Sequence, residues 1–306
     1  MWAIDADAGR KIIAGAFPLL KPQNFLKPKK KKHGGLEGPL ARIGALEVRL
    51  ACGKKEIRKA QRLRFKVFFR KGGAIPDAKA ALTRRDADRF DKFCDHLIVI
   101  DHEARNRFGK MKPKVVGAYR LLRDDVAQKK GGFYSAGEYD IAPLLARHPG
   151  LRFLELGRSC VLEQYRGKRT IELLWRGILA YVRHHRIDAM IGCASLEGAN
   201  PLAHAAALSF LSHHARAEDD WRVAARRELH VPMEMLAKEA VDPRKAMNAL
   251  PPLVKGYLRC GAKFGDGAVV DRKFNTTDVF VIMRVAEIDA RYLDYFGGSA
   301  EARDAA

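Results

Sequence analysis

The chain has 306 residues, with 57 lysines and arginines against 36 aspartates and glutamates, a formal charge of +21. Hydrophobic residues make up 47% and charged residues 30%, ordinary globular usage that excludes wholesale disorder, collagen-like repeats and a coiled-coil rod. The charge excess attracts polyanions, namely nucleic acid, an anionic bilayer surface or an acidic protein partner, and composition does not choose among them. In chain order, residues 1–43 read as a basic, mobile arm. Lys21, Lys27 and the run Lys29, Lys30, Lys31 and Lys32 stand among the breakers Pro22, Pro28, Gly34 and Gly35 with little periodicity. A solvated tail and a polybasic attachment to anionic lipid both fit this composition. The apolar stretch over 12–20 is interrupted by Pro18 and follows Asp5 and Asp7, which argues against a secretory signal. No apolar run approaches the roughly 18 residues that span a bilayer, so membrane contact would be peripheral.

From residue 44 to 298 strands and helices alternate, and 299–306 reads as a disordered tail. A strand over 47–51 precedes a helix from Lys54 that sets Ile57, Ala60, Leu63 and Val67 on one face. β-Branched and aromatic residues predict further strands over 97–100, 115–122, 153–162, 189–193 and 279–285. The clearest helix, 170–185, places Ile171, Leu174, Trp175, Ile178 and Val182 on one stripe that packs against a sheet. Residues from about 217 to 250, rich in Ala, Arg and Glu, read as short helices in an appendage, followed by a helix near 253–259.

Chemistry concentrates after residue 153. Glu155 and Arg158 stand three residues apart on a strand and would face opposite sides of a regular pleat. Gly157 between them marks a bulge, which reframes the two and frees backbone amides for a ligand carbonyl. A structural Glu–Arg pair is the plainer alternative. Gln164, Tyr165, Arg166, Gly167, Lys168 and Arg169 follow, and the helix opens at Thr170. Strand, basic glycine loop and helix N-terminus together make a phosphate cradle, although a solvated basic turn has the same composition.

This arrangement resembles the acyl-carrier loop of the GCN5-related N-acyltransferases, whose Q/R-x-x-G-x-G/A segment holds the phosphates of coenzyme A or phosphopantetheine. Arg169 stands here in place of the last small residue, an added cation that suits a single pantetheine phosphate. Arg64-Phe65-Lys66-Val67-Phe68, Asp88-Arg89-Phe90-Asp91, Tyr119-Arg120-Leu121-Leu122 and Glu155-Leu156-Gly157-Arg158 resemble strings that recur in this order in acyl-homoserine-lactone synthases. Longer strings, among them Phe93-Cys94-Asp95-His96-Leu97, Phe133-Tyr134-Ser135-Ala136, Gly192-Cys193-Ala194-Ser195 and Phe274-Asn275-Thr276-Thr277-Asp278, look like the ornithine lipid synthases over roughly 46–296. Leu196-Glu197 departs from that family, where an aromatic and a proline are expected.

The resemblance implies an α/β fold with a mixed, GCN5-related N-acyltransferase-like sheet flanked by helices. It implies transfer of a 3-hydroxyacyl group from acyl carrier protein to the α-amine of L-ornithine, the first step of ornithine lipid synthesis, with no cofactor beyond the carrier's acyl-phosphopantetheine and no metal. An ammonium must lose its proton before it attacks a thioester, so the site needs a carboxylate base, and Glu155 is the first choice. Gly157 and Arg158 complete the expected catalytic set, the bulge supplying amide donors to the oxyanion. Arg64, Asp88, Asp91, Arg120 and Ser195 are expected at the acceptor, and Gln164, Arg166, Gly167, Lys168 and Arg169 at the donor phosphopantetheine. An ion-pair lattice that merely orders the loop after the first helix is the competing role for the charged residues.

Cys52, Cys94, Cys160, Cys193 and Cys260 are odd in number and include no C-x-x-C pair, which points to a reducing cytosol, at most peripheral on the inner face of its membrane. Cys160 and Cys193 sit in apolar strands and read as small buried hydrophobes rather than nucleophiles. His214 and Asp219 make an H-x-x-x-x-D spacing, but without a companion glycine-rich motif it is a chance match. His184-His185 and His213-His214 lack a third ligand at metal spacing. The rival functions are an acyl-homoserine-lactone synthase, an N-acyl synthase for another amino acid, and a basic RNA-binding protein. The last is disfavoured by the absence of an RNP-type aromatic platform, with aromatics only 8% of the chain, so no nucleic acid partner is expected.

Overall fold

The protein is described by a computed structural model over residues 34–297; the lysine run at 29–32 and the expected tail at 299–306 lie outside the described residues. Among these, eight strands join in one sheet in the order β1-β2-β3-β4-β5-β6-β8-β7. They are β1 Ala41–Ile43, β2 Leu46–Leu50, β3 Asp95–Asp101, β4 Lys114–Arg123, β5 Phe153–Val161, β6 Ala189–Glu197, β7 Lys263–Asp271 and β8 Thr276–Arg284. All neighbours are antiparallel except β5 and β6. The helices are α1 Gly53–Phe68, α2 Ala78–Thr83, α3 Asp124–Ala127, α4 Ala142–Arg147, α5 Lys168–His185, α6 Ala205–Ala215, α7 Pro243–Ala249, α8 Pro252–Arg259 and α9 Ala290–Gly297. The central strands read as continuous apolar runs because both faces of the sheet are covered. The apolar stripe of α5 meets β1, β2, β3 and β4.

β5 and β6 pair only briefly before they part. Their pairing is limited to Phe153, Leu154 and Glu155 against Ala189, Met190 and Ile191, although each strand has nine residues. On β5 the register with β4 slips between Cys160 and Gly157, so that Arg158 and Ser159 together face Tyr119, a β-bulge. Arg158, with φ +52°, takes the left-handed conformation there; Gly157 does not. On β6, Gly192 comes so close to its neighbour that a Cβ would lie 2.4 Å from the carbonyl oxygen of Leu156. The strands therefore part at a small cleft lined by Leu156, Met190, Gly192, Val281, Met283 and Tyr257 of α8.

Three expectations are corrected. Residues 41–43, assigned from sequence to the arm, form β1 and pair with β2, from Ala41 opposite Val48 to Ile43 opposite Leu46; three residues carry too little pattern to be read as a strand. β7 escapes prediction because Gly265 and Gly267 interrupt its apolar run and its register slips between Phe264 and Ala268. Within the segment expected to be helical from about 217, the chain up to 237 is an extended strap along β7. Asp266 donates to the carbonyl of Val223, Ala225 to that of Asp266, and Val231 and Ala268 donate to one another. Buried Val223 and Ala225 alternate with exposed Ala224 and Arg226, a period-2 pattern that outweighs helix propensity. Gly265 is required at the crossing, since a Cβ would fall 2.5 Å from the Val223 carbonyl oxygen.

Because the Leu156 carbonyl belongs to a paired strand and cannot withdraw, Gly192→Ala is expected to cost about 1–3 kcal/mol by overpacking. Gly157→Ala, which meets nothing within 4 Å, should leave stability unchanged or slightly raised. Urea midpoints of the two variants check this, and equal destabilisation would refute the assignment of the strain to Gly192.

Candidate active site

Glu155 is the last β5 residue paired with β6, and it is buried. Its Oε1 accepts the Ser135 amide at 2.7 Å and the Ser135 hydroxyl at 2.5 Å, while Oε2 accepts the Tyr134 amide at 2.8 Å. Burial pushes its carboxyl above the ordinary range despite these donors. The bulge returns Arg158 to the same surroundings, so the opposite faces expected of a regular pleat do not arise. The Arg158 guanidinium lies 4.7 Å from the ring centre of Tyr134 and 4.4 Å from that of Phe274. Its polar contacts are long: 3.3 Å to the Tyr134 hydroxyl, 3.3 Å to Asp86 and 3.5 Å to Asp88, with Nε forming no hydrogen bond.

Arg64 is the opposite case. Its 1% exposed side chain is saturated by Asp86 Oδ2 at 2.8 Å, the Asp86 carbonyl at 2.6 Å, and both Asp91 oxygens at 2.9 and 2.8 Å. Arg120 binds Asp88 at 2.6 Å and approaches Asp91 at 3.5 Å. Asp88 caps the short turn Arg89–Lys92 through a capping box with Asp91, which fixes the carboxylates that the arginines meet. Burial pushes the Asp91 carboxyl up, but the hydrogen bonds and charge of Arg64 outweigh it and hold it well below the usual carboxylate range. Arg64, Asp88, Asp91, Arg120 and Arg158 are thus brought together, joined by Asp86, into a lattice of three guanidinium groups and three carboxylates.

Ser195 lies elsewhere, opposite Asp278 across the β6–β8 ladder. There Glu138, Asp271 and Asp278 bring carboxylate oxygens within 4.8 Å of one another, the grouping among the described residues that would suit a hard cation. Burial, with Asp278 nearby, pushes Glu138 up to about 7, and burial pushes Asp278 up to about 6 although the Ser195 hydroxyl draws it down. The Cys193 thiol donates to Glu138 at 3.4 Å. Burial pushes that thiol well above its ordinary value and Cys160 up to about 12, so neither is poised as a thiolate.

Gln164, Arg166, Gly167, Lys168 and Arg169 form an exposed turn after β5, with Gly167 as the N-cap of α5 and no side chain capping its amides. Lys71, in the loop after α1, pairs with Glu163 at the entrance to this turn. His214 ends α6 exposed, while Asp219 pairs with Arg222, so the H-x-x-x-x-D spacing builds no dyad.

Residues 63–176 match the Acetyltransferase (GNAT) domain family, a span that runs from α1 through the lattice and bulge into α5. The chain is 52% identical over 276 residues, 90% of its length and 93% of the relative's, to the L-ornithine N(alpha)-acyltransferase of Agrobacterium fabrum (strain C58). It is also 52% identical to that of Rhizobium meliloti (strain 1021), over 85% of this chain and 87% of the relative. The chain belongs to the L-ornithine N(alpha)-acyltransferase family. Among solved structures it is similar to FeeM, an N-acyl amino acid synthase from uncultured soil microbes, with a TM-score of 0.47 and 12% identity over 81% of this chain and 96% of that one.

Sequence reasoning gave no role to Asp86, Glu138, Asp271 or Asp278 in this acyltransferase. Asp278 closes one of the family strings, and Asp271 and Asp278 flank the β7–β8 turn, a symmetry that signals two carboxylates at one hairpin end. Tyr134 and Phe274, which sandwich Arg158, likewise lie in those strings.

Removing Arg64 leaves Asp86 and Asp91 buried with only the longer ion pairs to Arg158 and Arg120, so Arg64→Ala is expected to cost about 3 kcal/mol at neutral pH. The depressed Asp91 contributes stability above its unfolded value of about 3.9, which is lost as pH falls through the folded value. The variant's deficit should therefore shrink on acidification, as denaturation at pH 7 and pH 3 will measure; an equal deficit at both would assign it to lost packing.

Proposed function

We propose that the protein transfers a 3-hydroxyacyl group from the phosphopantetheine thioester of acyl carrier protein to the α-amine of L-ornithine. The observation that carries this reading is the parting of β5 and β6, which sets an apolar cleft against a polar, charged pocket across one gap. The names of the relatives supply ornithine as acceptor, and the notched basic turn before α5 supports a phosphate-bearing donor. The acyl chain occupies the cleft beside Tyr257, and the pantetheine runs along the unpaired edge of β5 toward Gly167, where helix amides and Arg166, Lys168 and Arg169 meet its phosphate.

Chemistry then needs a base, an oxyanion site and an orienting charge. Arg158, the underbonded guanidinium, takes the acceptor carboxylate. Glu155 has used three of about four acceptor positions, and the remaining one on Oε2 accepts the α-ammonium proton through a water. The freed amine attacks the thioester carbon, and the amides of the bulge at Arg158 and Ser159 stabilise the oxyanion. Attack forms the C–N bond; collapse of the intermediate breaks the C–S bond, and the second proton lost by the nitrogen goes to the departing carrier thiolate. The cations at 29–32 favour peripheral contact with an anionic inner leaflet, at about 1 kcal/mol each near the surface. Among the described residues no helix is long and apolar enough to cross a membrane.

Glu155→Gln is expected to lower kcat by about 10²-fold or more, whereas Ser135→Ala, which keeps the carboxylate, should lose less than about tenfold. Equal losses in the two would reassign Glu155 to holding the turn at 133–135. Replacing Arg166, Lys168 and Arg169 together by alanine should raise the KM for acyl carrier protein and leave that for ornithine within about twofold. A rise confined to ornithine would move the donor site elsewhere.

A further inference from the structure

The carboxylates of the lattice each meet a guanidinium, and Glu155 meets amide and hydroxyl donors, but Glu138, Asp271 and Asp278 form no ion pair with lysine or arginine among the described residues. Asp271 accepts the amides of Lys273 and Phe274 in its own turn, and Glu138 accepts only the Cys193 thiol. Asp278 is 6% exposed, and its Oδ1 accepts no hydrogen bond while its carboxylate faces the other two. A buried, unpartnered carboxylate oxygen carries a desolvation cost that only a donor from outside the chain relieves.

We propose that Glu138, Asp271 and Asp278 bind the side-chain ammonium of the acceptor and so select a diamino acid over its neutral isostere. The inference rests on the reading of this site as an ornithine acyltransferase. A primary ammonium presents three N–H donors, and charge-assisted bonds of about 2.8 Å in tetrahedral directions place three acceptors roughly 4.6 Å apart, within the span the three oxygens occupy. A divalent ion fits less well. Calcium seeks six to eight oxygens and magnesium an octahedron, but beyond the three carboxylates the neighbours here are the hydroxyls of Ser195 and Thr276, the Cys193 thiol and the tilted rings of Tyr139 and Phe280.

Position supports the same occupant. Arg158 is near enough for its charge to favour the ionised forms of both Glu138 and Asp278. An amino acid that gives its carboxylate to Arg158 and its side-chain ammonium to the three carboxylates holds its α-amine between them, beside the gap where the thioester lies. Ser195, whose hydroxyl draws the Asp278 carboxyl down, belongs to this pocket rather than to the arginine lattice. With burial and mutual repulsion raising Glu138 and Asp278 toward neutrality, an arriving cation is the group that would keep them ionised.

The test uses the full-length enzyme with a 3-hydroxyacyl thioester of acyl carrier protein and two acceptors of the same carbon skeleton, L-ornithine and L-norvaline, with product measured by mass spectrometry. Wild-type kcat/KM is expected to favour ornithine by about 10²-fold or more, and Asp278→Asn and Asp271→Asn should each reduce that ratio at least about tenfold, chiefly through the KM for ornithine. Asp271, half-buried at the strand end, keeps the test open if Asp278→Asn does not fold. A ratio unchanged in the folded variants overturns the proposal, as does a wild type that uses norvaline as readily as ornithine. Calorimetric titration with Mg²⁺ and Ca²⁺ is expected to show no saturable binding; binding that disappears in Asp278→Asn overturns the ammonium assignment in favour of a metal. Failure of the acylation reading looks different, since wild type would then give product from neither acceptor.

Discussion

Backbone amides and carbonyls in a buried sheet must find partners, and beyond Glu155 and Ile191 the facing edges of β5 and β6 no longer find them in each other. Everything at the site follows from that interrupted ladder. The bulge at Arg158 bends β5 away from β6, and Gly192 lets the two backbones approach at the point of divergence without a side chain between them. A ligand with its own amide groups can complete the ladder. The same bulge swings a guanidinium toward the turn that Glu155 holds by three hydrogen bonds.

Charge at the site is divided between two clusters of different character. The lattice around Arg64 is closed: its guanidinium is saturated and its carboxylates are matched, and its value lies in fixing the loop that joins α1 to β3. Such a cluster resists the loss of either partner far more than it adds net stability. The carboxylates around Asp278 are open, with a buried oxygen that nothing in the described chain satisfies. A closed cluster holds shape, and an open one leaves acceptors for a donor from outside the chain. That distinction separates residues of the same types into a matched lattice and an unmatched group.

Much of this was legible in the sequence and some of it was not, for physical reasons. The periodicity of α5 and the apolar runs of β3, β4 and β8 are dictated by burial and so read directly. Glu155, Arg158 and the basic turn stand in one contiguous stretch, so their proximity needed no tertiary information. The bulge was placed at Gly157 and falls one residue on, at Arg158 and Ser159, because glycine is the usual marker and only the register with β4 decides. Glu138 lies more than a hundred residues before Asp271 and Asp278, which flank one hairpin, and their meeting depends on β8 inserting between β6 and β7. The strap was misread because alanine, arginine and glutamate favour helix locally, whereas pairing with the β7 edge decides its conformation.

The strap also bears on how the protein behaves in company. A sheet ends in a row of unpaired donors and acceptors, a template on which another chain can add and from which aggregates grow. Here the outer edge of β7 is engaged from Phe264 to Ala268 by hydrogen bonds to 217–231, and the opposite edge is closed by a strand of only three residues. Neither margin offers a long, straight stretch for recruitment. The open gap between β5 and β6 in mid-sheet is thereby kept within a sheet whose borders discourage the addition of another strand.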